Sequence, residues 1–103
     1  MTPRYHVILS RRAVSDLHEI HPSIERNSPQ NAALVLSMLV DAIDSLQYLP
    51  RRYSVYQGRH NPSDAVRRMP VPPYLIYYRI DERRQAVEIV TVRHGARRQP
   101  RRF

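Results

Sequence analysis

Residues 66–98 read V-R-R-M-P-V-P-P-Y-L-I-Y-Y-R-I-D-E-R-R-Q-A-V-E-I-V-T-V-R-H-G-A-R-R, and this stretch decides the fold. Tyr74 to Ile80 and Ala86 to His94 are rich in β-branched and aromatic residues, while Asp81 to Gln85 between them are all polar. That pattern predicts two strands joined as a hairpin. Ahead of them, Ala65 to Val71 reads as a further strand, which Pro70 confines to an edge or a bulge because proline has no N–H to give the ladder. Pro72 and Pro73 then make a rigid turn. The far end of the hairpin carries Arg93, His94, Arg97 and Arg98 to one edge of the sheet. A rigid edge bearing cations and an imidazole suits a phosphate, a nucleic acid or an acidic partner.

Working outward, Tyr5 to Leu9 forms a short apolar strand. Ser10 offers an N-cap, and Ala13, Leu17, Ile20 and Ile24 follow at spacings of four, three and four, one face of a helix. Pro22 lies inside this pattern and predicts a kink rather than a break, since the apolar face continues past it. Ser28 followed by Pro29 starts a second helix. Ala32, Leu36, Leu39, Ile43 and Leu46 form its stripe, Leu34, Val35, Met38 and Val40 widen it, and Pro50 is expected to end it. With only Asn27 and Ser28 between them, the helices must fold back as an antiparallel hairpin. Residues 51–64 read as a loop. The resulting order, β-α-α-β-β-β, predicts an α+β fold, with the helical hairpin packed on a small, mostly antiparallel four-stranded sheet. Residues 1–103 are expected to form a single domain with a basic tail from about residue 96 onward.

The chain has 103 residues and a formal charge of +8, with seventeen basic residues against nine acids. Every basic residue is arginine, which binds carboxylate or phosphate through paired hydrogen bonds and stacks on bases. No step can therefore use a lysine as base or nucleophile. Residues 13–50 hold five acids and one arginine, whereas residues 51–103 hold thirteen arginines and four acids. A polyanionic partner is expected, and its surface belongs to the second half. The absence of cysteine excludes disulfides and thiolate metal sites. His18 and His21 stand three apart with no third ligand evident, so no metal and no cofactor are expected. The longest apolar run, Ala32 to Val40, is interrupted by Ser37 and falls short of the roughly 20 residues a bilayer span needs. A soluble, cytoplasmic protein is the expectation.

The element order and its residues resemble the RelE/ParE superfamily of toxins from bacterial type II toxin–antitoxin systems. The resemblance covers nearly the whole chain. It rests on I-L-S-R-R-A-V-S-D-L at 8–17, on the leucine-rich second helix ending L-P-R-R at 49–52, and above all on Y-L-I-Y-Y-R-I-D at 74–81 with V-E-I-V-T-V-R-H-G-A-R-R at 87–98. It implies a toxin neutralised by a cognate antitoxin in a hetero-oligomer, and one of two activities. RelE-like members cut messenger RNA on the ribosome, while ParE-like members poison DNA gyrase. Fold alone does not choose between them. RelE-like ribonucleases commonly carry an arginine after the aromatic residue that opens the third strand; here that position is Leu75. The basic pair of the preceding strand is matched loosely by Arg67 and Arg68, and the tail after Arg98 reads Q-P-R-R-F, without the tyrosine some ribonucleases use. These departures imply a ParE-like gyrase inhibitor, with the RelE-like ribonuclease as the alternative.

If the chain is a ribonuclease, His94, Arg93, Arg97 and Arg79 are the catalytic candidates. An imidazole has an unperturbed pKa near neutrality, and His94 has cations beside it that would stabilise a charged phosphorane; the other reading is that a histidine ending a strand simply bonds the backbone. Arg79 either reaches an anion or pairs with Glu88 across the turn. As a gyrase inhibitor, the chain would meet its target through Arg93, His94, Arg97, Arg98, Arg101 and Arg102. Leu36, Leu39 and Ile43 of the second helix, with Arg67 and Arg68, are the expected antitoxin contacts. Tyr78, with Ile76 and Ile80, is assigned to core packing.

Overall fold

The structure is a computed structural model that describes residues 3–25, 29–58, 65–101 and 103, apart from the side chains of 21–25 and 29–30. Strand β1 (His6–Leu9) leads into helices α1 (Arg11–Glu25) and α2 (Pro29–Ser45), a single turn of 3-10 helix (Pro50–Arg52), and strands β2 (Val55–Gln57), β3 (Val66–Val71), β4 (Tyr74–Asp81) and β5 (Ala86–His94). The sheet order is β1-β5-β4-β3-β2, with β1 parallel to β5 and every other pair antiparallel. This is the expected α+β architecture, with five strands instead of four.

Ser10 does two things at the start of α1. Its Oγ accepts the Ala13 N–H at 3.0 Å, a helix N-cap, and donates to the Val90 carbonyl at 2.7 Å, pinning the helix to β5. The helix runs through Pro22 to Glu25 as one element. The Ser28 cap lies outside the described residues, while Pro29 is the first residue of α2, as expected. Helix α2 stops at Ser45 and not at Pro50. The chain tightens through three i to i+3 bonds, ending with Tyr48 N–H to Ser45 C=O, and the Gln47 carbonyl is taken by the Tyr5 N–H at 2.8 Å. Leu49 then turns the chain in a left-handed conformation (φ 47°).

The expected loop at 51–64 is only partly one, because β2 lies within it. Three residues are too few to show a period. What fixes β2 is remote in sequence: Arg67 Nη1 donates to the carbonyls of Arg51 (3.2 Å) and Tyr53 (2.6 Å), and the Arg68 N–H donates to Ser54. Pro70 pairs with Leu75 on β4, beyond the reach of β2, whose ladder stops at Arg67. The missing donor thus falls where β3 has no second neighbour.

Alternation along β4 makes two different faces. Ile76 and Tyr78 join Met69, Val87, Ile89 and Val92 against Ala13, Leu17, Ile20, Leu39, Ile43 and Leu46 of the helices, all buried. Burying each large member fully is worth about 1.5–3 kcal/mol. Leu75, Tyr77 and Arg79 point to the opposite face, which carries no helix among the described residues. A bulge at Val90 in β5, between the partners of Tyr77 and Tyr78, leaves both tyrosines fully buried, one on each face.

Candidate functional site

Beyond Leu9, β1 no longer flanks β5, so the segment Val90–His94 forms a sheet edge. Helix α1 seals its first part. The Asp16 carboxylate accepts the Thr91 hydroxyl at 2.5 Å and the Val92 N–H at 2.9 Å, next to the Ser10 bond to Val90. Asp16 was not among the candidates from the sequence, where it is one polar residue on a helix; only the long-range pairing gives it this task. Past it opens a cleft of about 390 Å³ lined by Asp16, Glu19, Tyr74, Arg93, His94 and Arg97, together with Ile20 and Val92.

His94 stands edge-on to Tyr74, with ring centroids 5.3 Å apart. Its Nδ1 accepts the Ala96 N–H at 3.0 Å. That bond leaves Nε2 as the nitrogen free to meet a ligand, and fixes the ring to its own backbone turn. The turn is tight: the Gly95 N–H donates to the Pro73 carbonyl at 2.7 Å, and a Cβ on Gly95 would sit 3.1 Å from that same oxygen. Burial raises the Tyr74 hydroxyl above its ordinary range, with Arg97 pulling weakly the other way.

Arg93 turns to the helix-free face, opposite Leu75 in the ladder. Its Nη2 donates to the Arg98 carbonyl at 3.1 Å, and its buried Nε has no partner. Arg79 is held away from this region by Glu88 at 3.6 Å, the pairing across the turn. Arg67 is spent on the carbonyls that shape β2, and Arg68 lies over the Tyr56 ring, 4.6 Å from its centroid. Of the sequence candidates, the structure brings His94 and Arg97 together at the cleft, lines it with part of Arg93 while the Arg93 guanidinium goes to the helix-free face, and puts Arg98 and Arg101 on the adjoining tail. Arg102 lies outside the described residues.

The tail is folded back over the helix-free face. Tyr77 is completely buried although it lies outside the helix-side core. Its ring meets Phe103 at 4.8 Å and Tyr56 at 5.1 Å, and its hydroxyl donates to Gln99 Oε1 at 2.7 Å. Burial is the main reason the Tyr77 hydroxyl is raised above its ordinary range, and nearby Arg68 opposes it. No periodicity in the sequence announces this cover, because it depends on one aromatic residue after a run of arginines.

On α2, Leu39 and Ile43 face the sheet and are buried, and Leu36 is half-buried. They pack into the core of the protein itself. The apolar residues that α2 leaves to solvent are Leu34, Met38 and Val40; β1 and α1 add Ile8, Leu9 and Val14. Among the described residues no group of three histidine, aspartate or glutamate side chains converges on a metal-sized site, and the His21 side chain lies outside them. No helix there is long and apolar enough to cross a membrane.

Residues 7–99 match the family model of the ParE toxin of the type II toxin–antitoxin system parDE. The chain belongs to the ParE toxin family. This ParE-family toxin is 34% identical over 91 residues to the putative toxin Y4kP of Sinorhizobium fredii, covering 86% of each chain. Its fold is similar to the chromosomal ParDE system from P. aeruginosa (TM-score 0.71, 16% identity, 90% of this chain and 98% of that one). It is also similar to the RelBE2 complex from Mycobacterium tuberculosis (TM-score 0.61, 27% identity, 91% and 94%). The archaeal RelE–RelB complex from Pyrococcus horikoshii shares the fold too (TM-score 0.66, 16% identity, 95% and 100%).

Proposed function

We propose that this ParE-family toxin is a non-enzymatic inhibitor of DNA gyrase, held inactive by a cognate antitoxin in a cytoplasmic hetero-oligomer. The observation that carries the reading is the state of the imidazole at the cleft: His94 has a ring nitrogen committed to its own backbone, and Leu75 stands across from Arg93. Cutting RNA needs a base, an acid and free cations around the phosphate. Here Arg79 and Arg67 are already engaged, and there is no lysine. Blocking a large enzyme needs only a docking surface, and Arg93, Arg97, Arg98, Arg101 and Arg102 supply the cations for one, with His94 beside them. The antitoxin would cover apolar surface on the helical hairpin, at Leu34, Met38 and Val40, a role the sequence assigned to neighbouring Leu36, Leu39 and Ile43; Arg67 and Arg68 would meet its acids at the sheet. The test is purified toxin with gyrase, ATP and plasmid: inhibited supercoiling with accumulation of cleaved DNA is expected, and normal supercoiling refutes it.

One observation favours the RelE-like ribonuclease as the second reading: Arg93, His94 and Arg97 line a single cleft together with Tyr74. It predicts fragmented messenger RNA in a translating extract, lost in His94→Ala. Intact transcripts with wild-type toxin would dismiss it.

A further inference from the structure

The arginine-rich tail has the composition of a free, solvated arm, yet its backbone is tied down at almost every step. Gln99 Nε2 donates to the Arg97 carbonyl at 2.6 Å and the His94 carbonyl at 3.1 Å. Arg93 takes the Arg98 carbonyl, the Tyr56 hydroxyl donates to the Pro100 carbonyl at 3.2 Å, and Gln57 Nε2 donates to that of Arg101. The ring of Phe103 closes the row between Tyr56 and Tyr77. The carbonyls face inward while the side chains of Arg97, Arg98 and Arg101 are exposed. Residues 95–103 contain no acid to neutralise them.

We infer that the tail is a pinned row of arginines that binds the phosphate backbone of a nucleic acid, with Phe103 as its positioning residue. Because its carbonyls are spent, the row has little strand edge to offer an acidic peptide for sheet addition. The rings beneath it are spent too, on Phe103 and Arg68, so it offers bases no stacking platform. What remains is side-chain charge at fixed positions, which suits a repeating, sequence-independent polyanion. Pinning removes ordering cost before contact is made. The inference goes beyond the proposed inhibition of gyrase and stands whichever enzyme the toxin attacks, since its readout is DNA binding in the absence of gyrase and ribosome.

The test is fluorescence anisotropy with a labelled random-sequence duplex, titrated at several salt concentrations. For the wild type, log K should fall linearly with log salt, and Arg98→Gln with Arg101→Gln should flatten the slope by about 1.8, near 0.9 per phosphate contact. Phe103→Ala keeps every cation but frees the row, so affinity should fall about three- to tenfold at an unchanged slope. Phe103→Tyr retains a ring and should bind as the wild type does; circular dichroism of both variants reports the fold. An unchanged affinity in Phe103→Ala overturns the pinning, and a salt-independent affinity overturns the phosphate contact. Competition by polyglutamate as effective as by unlabelled duplex overturns the assignment to nucleic acid.

Discussion

The two faces of the sheet are covered in different ways. On one face, α1 and α2 bury Ile76, Tyr78, Met69, Val87 and Ile89 beneath Ala13, Leu17, Leu39 and Leu46. On the other, Tyr77 is covered by Tyr56 and one returning strand of tail that ends in Phe103. The first cover is thick, regular and apolar; the second is one chain thick and held by five or so polar contacts and a ring. The helix face supplies stability, while the tail face is thin enough to carry chemistry that changes at little cost to the fold.

The comparison breaks most visibly at Leu39, which is fully buried between α2 and the sheet. Leu39→Ala should cost about 2–5 kcal/mol in chemical denaturation, the range for a leucine deleted from a packed core. If the tail face carried comparable weight, Phe103→Ala would cost as much. The expectation is about 1 kcal/mol or less, because Phe103 is half-buried and its loss opens a local segment without a cavity in the core. Hydrogen exchange should show faster exchange confined to residues 97–101 and to β2.

The difference in legibility follows the same division. Ala13, Leu17 and Ile20 with Leu39, Ile43 and Leu46 announce their faces by helical spacing, and the β4–β5 hairpin by composition and a polar turn. These patterns are local, and so they survive in a single sequence. Strand β2, the bulge at Val90, the seal by Asp16 and the return of Phe103 to Tyr77 are set by partners many residues away, and none has a period. The candidate site divides likewise. The grouping of Arg93, His94 and Arg97 follows from one strand end and is readable; the diversion of Arg67 to backbone carbonyls and the burial of Leu39 and Ile43 are not. Stripe residues of an amphipathic helix look the same whether they face the core or a partner.

Tyr78 offers a sharper probe of the helix face. Its hydroxyl donates to the Pro50 carbonyl at 2.5 Å, and burial pushes its pKa up to about 12 from an ordinary value of 10.0. A raised folded-state pKa means that the contribution is complete below the unfolded value and is lost as pH rises through 10 toward 12. The loss should approach about 2–3 kcal/mol, given 1.36 kcal/mol per unit. Tyr78→Phe should abolish this alkaline decline, at a cost of about 1 kcal/mol near neutrality from the unpaired carbonyl. Denaturation midpoints across pH 8–12 check both outcomes.

Between the two faces, Asp16 joins α1 to the open edge of β5 by accepting Thr91 Oγ1 and the Val92 N–H. Asp16→Ala leaves a buried hydroxyl and an amide without their acceptor, and about 1–3 kcal/mol should be lost. Because this segment also shapes the cleft, the variant should loosen His94, visible as a change in the chemical shifts and line widths of its ring protons. A stability loss with an unaltered His94 signal would separate the seal from the site.

The smallest expected effect lies at the opposite end of the sheet. Glu82 in the β4–β5 turn accepts Arg51 Nε at 3.1 Å and Nη2 at 2.5 Å, and the Tyr5 hydroxyl at 2.9 Å. It thereby ties the entry to β1, the 3-10 turn and the hairpin. The hydrogen bond from Arg51 is the main cause holding its carboxyl below the usual range. A depressed carboxylate adds stability above its unfolded pKa and loses it as pH falls through the folded value, so the change belongs to the acid limb below about pH 4.3. Both partners are well exposed, at 61% and 42% of their side-chain surface, and water and salt screen the pair to under about 1 kcal/mol. Glu82→Gln should therefore shift the acid midpoint slightly and only at low ionic strength. A loss that persists in high salt would mean that the three-way tie acts through geometry and not charge, and that this exposed corner contributes to the fold as the helix face does.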